Sequence, residues 1–540
     1  MDILGFTDWM VVGLYFVLIL GIAWWVIHQK QDSSAEYFLA GRHVGWFVIG
    51  ASIFASNIGS EHVVGLAGTA AESGVVMGLY ELHSWLVLLL GWVFVPFYMR
   101  SRVFTMPEFL EKRYSPAARW FLSIISLVGY VLTKVSVTVY AGAVVFQTLM
   151  GIDFWTGALI VVLLTGIYTI LGGLRAVVYT EALQAFVLIL GSVTVTLIGL
   201  NKIGGWGNLV HLVGSSHLNL FLPASDPNFP WTGMVFAPPI VGLWYWCTDQ
   251  YIVQRTLAAF NETQARRGTI FASYLKLLPF FIFIIPGLIA YALAKTGQLN
   301  LPQSDMAFPE LVRTLLPVGI RGLVAGGLLA ALMSSLAAVF NSCSTLFTMD
   351  IYKKIRPHAS EKKLVVVGRI ATAAVVLAGI AWIPLMRHIS GQLYHYLQSV
   401  QSYLAPPIAA VFLLGVFWKR INAKAAVVTL FGGFAVGMLR LFAELIKHHL
   451  SGILFTFADM NFLHFCIFLF LAAIATLVVV SLLSDPPSFT QIKGLTYGTT
   501  VAEDRAASRA SWNTLDAILS FVVLLVIVAV LVYFSPLFVG

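Results

Sequence analysis

Charge is scarce in this chain. Asp, Glu, Lys and Arg make up 10% of the 540 residues, where a soluble domain carries about 25%. That shortage excludes a water-soluble globular fold. Cysteine is nearly absent as well, and Cys247, Cys343 and Cys466 all fall in apolar stretches, so no secreted disulfide framework is available. No Walker sequence, HExxH, GxSxG or CxxC occurs, and the few acids are too scattered for metal or phosphate chemistry. An ATP-driven pump and an enzyme therefore have no engine in this sequence. The opening "MDILGFTDWM" has no basic segment ahead of its apolar run, which predicts that it is not a cleaved signal peptide.

What fills the chain is apolar sequence, 59% of the residues, in runs of about 20 residues, the length that crosses about 30 Å of hydrocarbon as a helix. Period-2 alternation is absent, which excludes a β-barrel. The expectation is an all-α integral membrane protein with about fourteen spans. Basic residues exceed acidic ones by 32 to 24 and gather on alternate loops, such as Lys30 with Arg42, Arg100 to Arg113, Arg255 to Arg267, Lys353 to Lys363 and Lys419 to Lys424. By the positive-inside rule these loops are cytoplasmic, and an even number of spans then leaves both termini extracytoplasmic. The excess records topology in a plasma or inner membrane, with no nucleic acid or nucleotide partner implied.

The spans divide into blocks. Residues 1–44 form one helix and a cytoplasmic link, 45–200 five helices, 201–231 an outside loop, 232–421 five more helices, and 422–540 additional helices with a cytoplasmic loop near 485–511. An odd number of spans per half starts the second half from the opposite side of the membrane, the condition for an inverted repeat.

One polar stretch interrupts the first block. "SNIGSEHVVG", residues 56–65, falls near the middle of its first helix, where Gly59 and its Asn and Ser neighbours weaken helical bonding. Unpaired carbonyls in lipid cost several kcal/mol each, so a break there must line a cavity or bind something. Further polar residues lie within apolar runs: Asn57, Glu61, His62, Glu81, Lys134, Glu181, Asp249, Gln250, Lys276, Ser334, Ser335 and Gln398. A polyhydroxylated neutral ligand needs partners that donate and accept. Asn57 and Gln398 offer amides, Glu81 an acceptor, Lys276 a donor and His62 either, while Trp244, Tyr245 and Trp246 offer faces for C–H groups. Carbonyls at Ala55, Ile58 and Ala331 with the Ser334 and Ser335 hydroxyls would hold a monovalent cation, provided the break and the serines meet.

Structural readings stand beside these. A lone serine commonly bonds its own i−4 carbonyl. Lys134 and Glu181 near helix ends could snorkel, Asp249 could pair with Arg255, and the aromatics could simply pack or form an interfacial belt.

At these residues the sequence resembles the sodium/solute symporter family, and within it the sodium/glucose (sodium/sugar) cotransporters. The likeness runs from "EYFLAGR" near residue 36 to "AVFLLGVFWKRIN" near 422, through "ASIFASNIGSEHVVGLAGT", "TMPEFLEKRY", "GGLRAVVYTEALQ", "LWYWCTDQYIVQRTLAA" and "SSLAAVFNSCSTLFTMDIYKK". It implies a LeuT-like core of two five-helix inverted repeats working by alternating access. It implies sugar contacts at Asn57, His62, Glu81, Tyr245, Trp246, Lys276 and Gln398, an inner gate at Tyr245 and an outer gate at Leu66 and Tyr394. Sodium would be the co-transported ion, bound by Ala55, Ile58, Ala331, Ser334 and Ser335. Departures from the family pattern are Ala337 and Ala338 where a second sodium site carries hydroxyls, Glu181 where an aspartate assists ion release, and Glu61, to which no role falls. The function expected is symport of one sodium with a hexose. The alternatives are myo-inositol or another polyol, a solute such as sialic acid or proline, or a sensor that binds without transporting.

Overall fold

In the computed structural model of the protein, residues 4–29, 31–59, 61–386 and 393–539 are described, and at helical positions 132, 136, 141, 144, 148, 382–386 and 393–396 only the backbone is. These residues form helices and connecting loops; the sole β contact among them is an isolated bridge between Val44 and Ala259. Eleven helices among the described residues are long and apolar enough to cross a membrane. The difference from the fourteen runs of hydropathy has a physical cause. Phe154–Ile203 is a single helical run of 50 residues, about 75 Å at 1.5 Å per residue and so long enough for two crossings. It bends at Gly173, whose φ of 54° and ψ of −155° leave the helical region; a Cβ there would also sit 2.5 Å from the Tyr37 carbonyl oxygen. The aromatic run Trp231–Cys247 has only 17 residues and falls short of a full crossing on its own.

The centre of the bundle is the helix Ile320–Thr345, buried along nearly its whole length. It packs most extensively against Phe154–Ile203. Helix Trp46–Asn57 lies along Glu262–Pro279, close enough that a Cβ on Gly50 would approach the Gly268 carbonyl to 2.7 Å; small residues permit such backbone contact between membrane helices. Phe6–Ile27, Phe462–Leu482 and Thr514–Tyr533 sit at the periphery and turn side chains such as Trp24, Phe468 and Leu525 outward. Outside lipid such a surface would be an unusually large apolar patch.

Among the described residues, two further helices stop and restart. Trp46–Asn57 stops at Ile58, which is extended (φ −82°, ψ 104°), and the chain resumes as a wide π-type turn over Glu61–Leu66 and an α-helix over Ala67–Ser73. Trp231–Cys247 stops at Thr248, and Gln250–Leu257 restarts after Asp249, whose side chain accepts from the Tyr251 N–H.

The basic loops meet at one end of the molecule. Arg42 donates to the carbonyls of Leu257, Arg102 and Val103. Arg119 donates to Asp350 and to the Met349 carbonyl and pairs with Glu111, which also holds Lys354. Desolvation of Glu111 is outweighed by Lys354 and Arg119, which hold its carboxyl below the usual range.

Candidate functional site

The break after Asn57 leaves carbonyls without helical partners, and the helix Ile320–Thr345 brings hydroxyls to them. Ser334 Oγ lies 2.8 Å from the Ala55 carbonyl and 3.0 Å from that of Ala331. Ser335 Oγ lies 3.3 Å from the Ile58 carbonyl and 3.4 Å from that of Ser56. The structure therefore brings Ser334 to the Ala55 and Ala331 carbonyls and Ser335 to the Ile58 carbonyl, so the break and the serines meet across two helices. The Tyr251 hydroxyl also donates to the Ser56 carbonyl, tying the second interrupted helix to the first. An oxygen cluster of this kind can replace the hydration shell of a hard monovalent cation. Ala337 and Ala338 are fully buried one turn along and add no oxygen from their side chains.

Beside this cluster lies a buried ion pair. Arg255 Nη2 is 2.8 Å from Glu181 Oε1, and Ser52 donates to the other Glu181 oxygen. Both partners are 0% exposed. Arg255 thus pairs with Glu181 and not with Asp249, which instead accepts from the Tyr130 hydroxyl, and Glu181 does not snorkel.

Next to the break is a polar cavity of about 60 Å³. It collects Asn57 and His62 from the first interrupted helix, Glu81 from the helix that follows, Tyr245 and Trp246 from the second interrupted helix, Lys276, and Gln398. All seven residues expected to contact a sugar line it. Trp244 does not, because successive helical residues point about 100° apart and three in a row cannot share a face. Lys276 Nζ lies 2.5 Å from Glu81 Oε2, and His62 Nε2 lies 3.5 Å from the other oxygen. The Lys276 ammonium also sits 5.4 Å from the centre of the Trp246 ring, and Lys134 lies 4.2 Å from the rings of both Tyr245 and Tyr251.

Three polar atoms on this wall have no hydrogen-bond partner among the described residues: Asn57 Nδ2, Glu61 Oε2 and Gln398 Oε1. Buried polar groups are satisfied in the great majority of cases. Around this one cavity a donor and two acceptors are thus left with hydrogen-bonding capacity to spare. The wall also includes Tyr80, His83 and Gln401; for Gln401 the signal in the sequence is its place one turn beyond Gln398. Leu66 is fully buried just past the break, and the Tyr394 side chain lies outside the described residues.

Two interrupted helices thus flank a small polar cavity, with a group of oxygens at the first break. The profile of the sodium:solute symporter family matches residues 37–433, and the chain belongs to that family. It is 40% identical over 524 residues to sodium/glucose cotransporter 1 of Oryctolagus cuniculus, covering 89% of this chain and 79% of the relative. It is 39% identical over 531 residues to sodium/myo-inositol cotransporter 2 of the same species, covering 91% and 79%. Its fold matches that of a solved Na+-coupled sialic acid symporter with a TM-score of 0.77 at 21% identity, over 90% of this chain and 99% of that one.

Proposed function

We propose that the protein is a secondary active symporter that couples inward sodium flow to uptake of a hexose of the glucose or galactose type, one sodium per sugar. The observation that carries this reading is the ring of unpartnered donors and acceptors around the cavity. In it Asn57, His62, Glu81, Lys276 and Gln398 contact hydroxyls, Trp246 packs on the sugar, and Tyr245 covers it from inside with Leu66 and Tyr394 outside. Sodium sits among Ala55, Ile58, Ala331, Ser334 and Ser335, and Glu181 lies on its way out. The core consists of two inverted repeats, 45–200 and 232–421, within about fourteen crossings; 1–44 precedes them, 201–231 joins them and 422–540 follows. The mutual contacts of the basic loops support a shared cytoplasmic face, with both termini outside a plasma or inner membrane.

One sodium moving through 100 mV supplies about 2.3 kcal/mol, and a tenfold gradient adds about 1.4 kcal/mol, enough for roughly 500-fold accumulation. The test is counterflow of labelled glucose, galactose and myo-inositol in proteoliposomes, with and without sodium, alongside sodium flux. Sodium-dependent hexose exchange at a ratio near one is expected. A ratio near two refutes the stoichiometry, and binding without exchange refutes transport. The near-equal identity to glucose and myo-inositol carriers supports a second reading, with a cyclic polyol as cargo, and preference for myo-inositol in the same experiment would establish it.

A further inference from the structure

Glu61 is the one acid on the cavity wall to which the reading above gives no task. It is 5% exposed and opens the wide helical turn directly after the break. Glu81, the other acid on the wall, is held by Lys276 and His62. Glu61 differs: Oε1 has only His62 Nδ1, at 4.0 Å, and Oε2 has no hydrogen-bond partner among the described residues. A carboxylate is purely an acceptor, and burying one without a donor is costly. The carboxylate is also kept in place by what lies beneath it, because a Cβ on Gly59 would fall 2.0 Å from Oε2. Glycine there leaves the space in which the Glu61 head folds back beside the break.

We infer that Glu61 is a specificity-determining residue of the solute site, its free oxygen accepting from a hydroxyl of the bound polyol. This rests on the proposed function and deepens it. The wall bears two carboxylates, Glu61 and Glu81, and two ammonium groups, Lys134 and Lys276, so its fixed charges balance and a neutral donor suits the remaining oxygen better than a cation. A charge-assisted bond of this kind discriminates strongly against a ligand lacking the donor, because that carboxylate oxygen is then left buried without a hydrogen bond.

The experiment measures KM, in proteoliposomes, for the transported sugar or polyol and for its set of single-deoxy and single-fluoro analogues. In the unaltered protein one position is expected to cost tenfold or more when its hydroxyl is removed. In Glu61→Ala the parent's KM should rise to that of the analogue, erasing the penalty at that position alone and leaving sodium activation unchanged. Glu61→Gln, which keeps an acceptor and loses the charge, should retain part of the penalty and covers the case in which the alanine variant fails to fold. Gly59→Ala, which displaces the carboxylate without altering its charge, should reproduce the loss and add nothing further in the Glu61→Ala background. Discrimination unchanged at every position in Glu61→Ala and Glu61→Gln, or a change in sodium activation alone, overturns the role of Glu61. Absence of sodium-dependent uptake of any hexose or inositol by the unaltered protein overturns the proposed function, and this inference with it.

Discussion

Two acid–base pairs are buried in the bundle about equally deeply, and their surroundings have little in common. Around Glu181 and Arg255 every direction is filled: Arg255 reaches Glu181, the Ser52 hydroxyl and the Tyr251 carbonyl, and both Glu181 oxygens have partners. Around Glu81 and Lys276 the pair itself is closed, yet Asn57, Glu61 and Gln398 each keep a buried polar atom without a partner among the described residues. The difference teaches that burial of charge does not by itself identify a binding site. Unanswered hydrogen-bonding capacity in adjacent residues does, because a completed network has nothing left to offer a guest.

Mutations should separate the pairs. Arg255→Ala strands Glu181 in a sealed environment, a defect that costs about 3–5 kcal/mol, and the expected outcome is loss of monodisperse protein on size-exclusion chromatography. Lys276→Ala opens onto the cavity, so the protein should remain in the membrane while sugar KM rises by about a hundredfold, the upper range for a charged hydrogen bond; equal loss of folded protein in both variants would erase the contrast. Ser335→Ala removes one of five oxygens and should raise the sodium concentration for half-maximal uptake about tenfold, or about 1.4 kcal/mol, with the rate at saturating sodium retained. If sodium dependence does not move, the ion site is misplaced. Gln398→Glu adds charge while keeping an acceptor, and a several-fold rise in sugar KM is expected from competition assays.

The smallest effect concerns a partly buried acid outside both sites. Asp305, in the loop between two spans, has its carboxyl lifted from the ordinary 3.8 to about 6 by burial, reinforced by the neighbouring Glu72 carboxylate. Between those values the folded loop holds more proton than the unfolded one, so its stability falls as pH rises through that window and is lowest above 6. Amide exchange over 296–306, corrected for intrinsic rates, should be slower at pH 5 than at pH 7, and Asp305→Asn should remove the difference.

Much of this was legible in sequence because lipid imposes a simple rule: apolar runs become helices, and polar residues within them need a reason. The interruption at Asn57 followed from Gly59 and its neighbours, while the meeting of Ser334 and Ser335 with the Ala55 and Ile58 carbonyls is the condition that the sequence left open. Other features depend on distance in space. Arg255 lies six residues from Asp249 and pairs with Glu181, 74 residues away, because the two interrupted helices and Phe154–Ile203 meet in the core. Trp244 belongs to an aromatic triplet in sequence, and helical rotation takes it off the cavity wall. Tyr80 and His83 were unreadable as site residues, since an aromatic and a histidine at a helix bend are as often packing as contact.

The unsatisfied atoms of the cavity wall have a practical corollary. A cargo that answers them binds the folded chain and not the unfolded one, and at a concentration of 100 Kd this adds about 2.7 kcal/mol to the folded state. Melting temperature in detergent solution should therefore rank candidate cargoes against one another, so that the purified protein reports what it carries before any vesicle is made.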